Sequence, residues 1–238
     1  MNATVRRTTL RWSLLGAGAA AGSHLLPAAS WLPPVRRLLP GLSGRGAAGH
    51  VALTFDDGPS PPGTAAVRDA LAGLGVRATF FVLGRELARN PDLGRELAAA
   101  GHEIAVHGWD HGYLLGRGRR RVRDELAHTR DLIGETCGTT PRWFRPAFGV
   151  LTGPAVCAAH ELGLRPVLWT AWGKDWTATA TADSVVRRLE PGLVGGATLL
   201  LHDVVPGPVT AAALPRLAAL AAERALTLGP LGEHGVPS

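Results

Sequence analysis

From His50 onward, short apolar runs alternate with stretches of helical periodicity, and this alternation constrains the fold more than any other property of the 238 residues. The runs are Val51–Phe55, Ala78–Leu83, Glu103–His107, Trp143–Arg145, Pro166–Thr170 and Thr198–His202. Helical patterns lie near Thr64–Leu74, Pro91–Ala100, Arg119–Thr136, Gly153–Leu162, Thr181–Leu189 and Thr210–Arg224. A short apolar run suits a buried strand. Its regular alternation with helices predicts a parallel α/β sheet or barrel. The length fits one domain with an ample core. Polar residues gather where the runs end: Asp56 and Asp57, His107, Arg145 and His202. In barrels, chemistry sits at the C-terminal ends of the strands, so these residues are the first candidates for a site.

The first run ends in Thr54-Phe55-Asp56-Asp57-Gly58-Pro59. Two adjacent carboxylates repel each other unless a cation or a shared proton offsets the repulsion. One can bind a metal while its neighbour acts as a base. The same tetrapeptide Asp-Asp-Gly-Pro is also ordinary turn chemistry, so the remaining segments must supply partners. His107 and His111 stand four apart beside Trp109 and Asp110. Two imidazoles and one carboxylate, with positions left open, make a catalytic site for zinc or a similar divalent ion. With nine histidines in the chain, this spacing also arises by chance. Arg145, before Pro146-Ala147-Phe148-Gly149, can clamp a carboxylate with its guanidinium fork or begin a turn. Asp175, between Trp172 and Trp176, can pair with a histidine or an arginine. His202 ends the run Leu199-Leu200-Leu201 and is expected to donate a proton. Trp109, Trp143, Trp172 and Trp176 can stack on sugar rings or pack the core.

These segments, in this order, resemble the NodB-homology polysaccharide deacetylases, carbohydrate esterase family four, over roughly residues 50–230. The resemblance implies a distorted (β/α) barrel of about seven parallel strands. It implies removal of N-acetyl groups from amino-sugar polysaccharides, peptidoglycan or chitin-like glycans, with O-acetyl xylan esterase activity or an inactive glycan-binding module as alternatives. Asp56 is then the base and Arg145 its orienting partner, and Asp57, His107 and His111 are the metal ligands. The Phe148 amide helps bind the oxyanion, and Trp176 neighbours the substrate. His202 is the acid, supported by Asp175. The ion implied is divalent, zinc first, with cobalt or manganese next. The chain departs from the pattern in three places. Gly108 stands for a serine or threonine, Phe148 for a tyrosine, and Trp172 for an aspartate.

Composition excludes other classes. Apolar residues are 46% and charged residues 18%, which is globular rather than disordered. The net charge of +6 suggests a nucleic-acid partner. Six arginines and no acid lie in residues 1–45, however, and without them 19 basic residues face 19 acidic ones. The body is neutral, and no nucleic-acid partner is expected. Arg6, Arg7 and Arg11 precede the apolar run Trp12–Gly22, the pattern of an export signal of twin-arginine type. An anchor that tethers the chain to a membrane is the second choice. Residues 1–30 are read as this leader, 31–49 as a linker or cover, and 50–238 as the deacetylase domain. Cys137 and Cys157 are either thiols or a disulfide; oligomeric state is left open.

Overall fold

The computed structural model describes residues 22, 24–204 and 207–237. Of the expected leader, residues 1–30, residues 1–21 and 23 lie outside them. All strand pairs are parallel. Strands β1 (His50–Asp56), β2 (Thr79–Leu83), β3 (Glu103–Gly108), β4 (Trp143–Phe144), β5 (Arg165–Pro166), β6 (Ala171–Trp172) and β7 (Thr198–His202) form the path β5-β4-β3-β2-β1-β7-β6. Strand β8 (Thr227–Gly229) pairs with the start of β1.

The inner strands are buried on both faces, as expected of a parallel sheet covered by helices. Alternation along β1 sends Val51, Leu53 and Phe55 into the layer shared with the helices, and Ala52 joins Phe81, Ala105 and Trp143 on the other face. By the same period of two, Thr54 and Asp56 follow Ala52, His107 follows Ala105, and Arg145 follows Trp143. The residues that carry charge at the strand ends therefore share the concave face.

From β1 onward the helices are α1 (Gly63–Leu74), α2 (Gly84–Arg89), α3 (Pro91–Ala99), α4 (Arg119–Cys137), α5 (Gly153–Glu161), α6 (Ala182–Leu189) and α7 (Gly207–Glu223). Helices α1 and α4 end on glycines in the left-handed region, Gly75 (φ 64°) and Gly138 (φ 67°), where a β-carbon is disfavoured. Thr181 and Ser184 cap α6 reciprocally. Helix α2 and strand β8 were not expected.

The expected strand Pro166–Thr170 is corrected. It divides into β5 and β6, which lie at opposite edges of the sheet. The residues between them must cross from one edge to the other, so they cannot stay in one ladder. Their hydrogen bonds go to several partners: Val167 N–H to the Phe144 carbonyl, Leu168 N–H to that of Leu42, and Thr170 N–H to that of Thr198. The run Trp143–Arg145 likewise ends one residue early, just before Pro146, which has no N–H to extend the ladder; the Arg145 N–H still donates to the Val106 carbonyl at 3.0 Å. Both cysteines are free thiols. Among the described residues, no helix is long and apolar enough to cross a membrane.

Candidate active site and metal centre

Asp56 closes β1 and sits in register with His202 at the end of β7. Arg145 lies behind it, fully buried. The Arg145 guanidinium donates from Nη1 to Asp56 Oδ1 at 2.7 Å and to Thr54 Oγ1 at 2.8 Å, and from Nη2 to the Leu168 carbonyl at 2.9 Å. It stands 4.0 Å from the centroid of the Phe81 ring. Burial lowers the Arg145 pKa, with the Asp56 charge opposing it. The pair is held in a single orientation by these contacts.

Asp57 follows immediately, and alternation would turn its side chain away from the concave face. Its φ of 82° breaks that alternation. A left-handed φ in a residue other than glycine is strained and marks functional sites. The carboxylate thereby meets both imidazoles: Asp57 Oδ1 lies 3.2 Å from His107 Nε2 and 3.4 Å from His111 Nε2. One ligand atom from each residue falls within 4.8 Å of the others.

Two observations test whether these residues fit a metal ion. First, Asp57 Oδ1 is buried and has no hydrogen-bond partner; a buried acceptor left this way needs a positive partner. Second, His107 Nδ1 lies 2.8 Å from the Arg145 carbonyl. That contact makes Nδ1 the protonated nitrogen and aims the lone pair of Nε2 at Asp57. Burial alone would raise the Asp57 carboxyl, but His107 above all, with His202 and His111, holds it below the usual carboxylate range. Burial would lower His107, yet Asp56 and Asp57 raise it, so positive charge is favoured at this point. His111, which burial lowers, stays in its neutral, ligating form. The trio fits a divalent ion.

His202 Nδ1 lies 2.9 Å from Asp175 Oδ1, and the His202 N–H donates to Asp175 Oδ2 at 2.7 Å. Asp175 is fully buried and also accepts from Thr210 Oγ1 at 2.7 Å. Burial would lower His202, but the Asp175 hydrogen bond and charge, with Asp56 and Asp57, raise it to about 9. Its Nε2 faces the cleft, 4.0 Å from Asp57 Oδ2.

The cleft has a volume of about 460 Å³ and brings together Asp56, Asp57, His107, His111, Phe148, Trp176 and His202. Arg145 and Asp175 support it from beneath. Phe148 adopts φ 57° in the turn Ala147–Gly149, with its ring half in solvent. Of the four tryptophans left open by the sequence, Trp172 and Trp176 line the cleft. Trp143 is buried, and Trp109 stacks on His128 at 4.0 Å.

Several residues escaped the sequence reading. Thr54 and Thr210 hold Arg145 and Asp175, and a lone threonine carries no signal for such a role. Tyr113 stacks on Phe148 with centroids 4.0 Å apart. It lines the cleft, and its place two residues after His111 was a usable signal. Gly108 has φ 122°, so at this position a glycine, not a side-chain hydroxyl, sets the path of the loop to His111.

The sequence profile of the polysaccharide deacetylase family matches residues 43–167. A peptidoglycan-N-acetylglucosamine deacetylase from Listeria monocytogenes is 35% identical over 155 residues, 65% of this chain and 32% of that protein. The chain thus spans about a third of the length of that relative. A chitooligosaccharide deacetylase from Rhizobium leguminosarum bv. trifolii is 35% identical over 157 residues, 66% of this chain and 73% of that one. Among solved structures, a family 4 carbohydrate esterase from Streptomyces lividans, in complex with acetate, superposes with a TM-score of 0.73 at 32% identity. The match covers 81% of this chain and 98% of that one.

Proposed function

The chain belongs to the polysaccharide deacetylase family, and from that premise we propose that it hydrolyses N-acetyl groups on amino-sugar polysaccharides, peptidoglycan or chitin-like glycans, releasing acetate. The observation that carries the proposal is the buried, unpartnered Asp57 oxygen facing two imidazoles, beside a second carboxylate clamped by Arg145.

Asp57, His107 and His111 hold the divalent ion, for which zinc is the proposed identity, with cobalt or manganese next. When bound, such an ion polarises the amide carbonyl and acidifies the attacking water. Asp56 takes the water proton; the Arg145 fork keeps its other oxygen occupied and its free oxygen aimed into the cleft. The Phe148 N–H, at the strained turn, donates to the oxygen that becomes negative as the carbonyl carbon turns tetrahedral. His202 delivers a proton from Nε2 to the departing amine, since an amine leaves poorly unless protonated. Asp175 holds the other ring nitrogen and stabilises the charged form. Trp176, edge-on to His202 at 4.9 Å, flanks the sugar. Because such polymers lie outside the cell membrane, the leader is read as an export signal, and residues 50–238 as the catalytic unit.

Acetate release from N-acetylglucosamine oligomers and from peptidoglycan, followed with metal content on the same sample, tests this reading. Chelation should abolish release, and zinc should restore it. Asp57→Ala should bind less than one ion per ten chains and release no acetate. Full activity of chelated protein would refute the metal-dependent mechanism.

A further inference from the structure

The residues just before β1 build a second hollow against the first. A 3-10 turn, Leu26–Trp31, leads into two short helices, Pro33–Arg37 and Pro40–Ser43. Arg36 ties this segment to the barrel. Its Nη1 donates to the Trp169 carbonyl at 3.1 Å, and its Nε and Nη2 donate to the carbonyls of Ser30 and Trp31. The guanidinium lies 5.2 Å from the Trp169 ring centroid. This bracing sets Trp31 into the wall of the catalytic cleft.

On the far side of the same wall lies a hollow of about 340 Å³, lined by Arg36, Arg37 and Arg45. Trp31, Trp169 and Trp172 line both hollows, so the two adjoin along these three rings. The second hollow is cationic, with no carboxylate to balance it. Residues 1–49 contain no Asp or Glu, and among the described residues no carboxylate side chain pairs with these three arginines. Most other arginines are matched, such as Arg119 with Glu161, Arg121 with Glu125 and Arg216 with Asp183, and the few that are not do not share a hollow with one another. Burial lowers the pKa of Arg36, whose donors go to carbonyls, so Arg37 and Arg45 are the guanidinium groups left for an anion.

We propose that this hollow is an anion subsite. It binds a carboxylate borne by a sugar adjoining the one that loses its acetyl group, so the substrate is an acidic acetamido-glycan in preference to a neutral one. The planar fork of arginine matches a carboxylate through two parallel hydrogen bonds, and the tryptophan faces shared by the two hollows bridge the sugars between. The inference rests on the deacetylase reading and names the polymer for it.

The test compares two oligomers of equal length with the wild-type protein: one of N-acetylglucosamine alone, and one in which alternate sugars carry a carboxylate. Arg37 and Arg45 are exposed, so Arg37→Gln/Arg45→Gln leaves the fold and the catalytic groups in place. The double variant should raise KM for the acidic oligomer about five- to tenfold, with kcat unchanged, and leave KM for the neutral oligomer within twofold. Raising the salt concentration should reproduce that selective loss in the wild type. An unchanged KM for the acidic oligomer, or an equal rise for both, overturns the subsite. Should the wild type release acetate from neither oligomer, the deacetylase reading fails. Titration of tryptophan fluorescence with the same two oligomers then still decides the subsite, by whether the double variant loses affinity for the acidic one alone.

Discussion

At the scale of single residues, the site separates two carboxylates that are adjacent in the chain. Asp56 is saturated on one oxygen by a buried guanidinium, whereas Asp57 keeps an oxygen free for a cation. Arg145→Leu should therefore destabilise the protein by about 3–5 kcal/mol in denaturant unfolding, because it leaves Asp56 buried without a counter-charge. The proposed roles predict kinetics as well. His202→Ala should lower kcat for the amide about 10²–10⁴-fold. It should affect a phenyl acetate far less, since a phenolate leaves without a proton; equal losses on both substrates would remove His202 as the acid. Asp175 is the main group raising His202 towards 9, against burial. Asp175→Asn should thus move the alkaline limb of the rate profile to lower pH, as a neutralised His202 can no longer protonate the amine. Asp56, Arg145 and His202 were legible because each ends an apolar run, and Asp175 because it stands between tryptophans. Their partners Thr54 and Thr210 were not, because what gives a threonine its role is a contact 91 or 35 residues away in sequence.

At the scale of elements, the turn after β1 is the part with least tolerance. A β-carbon on Gly58 would stand 2.1 Å from Asp203 Oδ2. Asp203 is itself buried, accepting from the Gly58 N–H at 3.0 Å and from Thr64 Oγ1 at 2.7 Å. Burial pushes its carboxyl up to about 7, with the Asp57 charge adding to the rise and the hydrogen bond from Thr64 opposing it. Gly58→Ala should destabilise the fold by about 1–3 kcal/mol and displace Asp57 enough to lose the ion. Because the clash is with one side chain, Asp203→Ala in the same chain should recover part of that loss. A double-mutant cycle reads this as coupling, and strict additivity would rule the clash out. The turn residues Asp-Gly-Pro announced a bend here. That the bend also re-aims Asp57 across the alternation of β1 was invisible, since it depends on a single left-handed φ.

At the scale of the whole molecule, the end of the barrel opposite the cleft is closed by segments from both ends of the chain. Leu231 and Val236 pack inside with Ala52, Phe81 and Trp143. The Gly44 carbonyl accepts from Thr198 Oγ1 at 2.6 Å and from His234 Nε2 at 3.1 Å. His50 and His234 share a contact between their Nδ1 atoms at 2.8 Å, which two charged imidazoles could not keep. Burial lowers His234 from 6.5 to about 4, with the His50 charge adding to the shift. The unfolded chain thus takes up a proton near pH 6.5 that the folded chain refuses until about pH 4. The stability this group contributes is present above pH 6.5 and is lost as the pH falls through 4. Thermal unfolding between pH 7 and 4 should show a falling melting temperature. His234→Gln, which retains a donor for Gly44, should flatten that fall; an unaltered slope would acquit the pair.

By itself, the sequence determined the parallel α/β class, where five of the strands lie along the chain, and nine of the residues in or beneath the cleft. The reason is that periodicity and the residue types at run ends are local properties, set by the pleat and by where a buried strand must stop. Only the tertiary structure decided which run joins the two edges of the curled sheet instead of lengthening one strand, as 167–170 does. It alone decided that Trp31 and three arginines from the stretch before β1 stand beside the catalytic cleft. Those placements come from the closure of a curved sheet, which joins residues far apart in the chain by hydrogen bonds that no local pattern encodes.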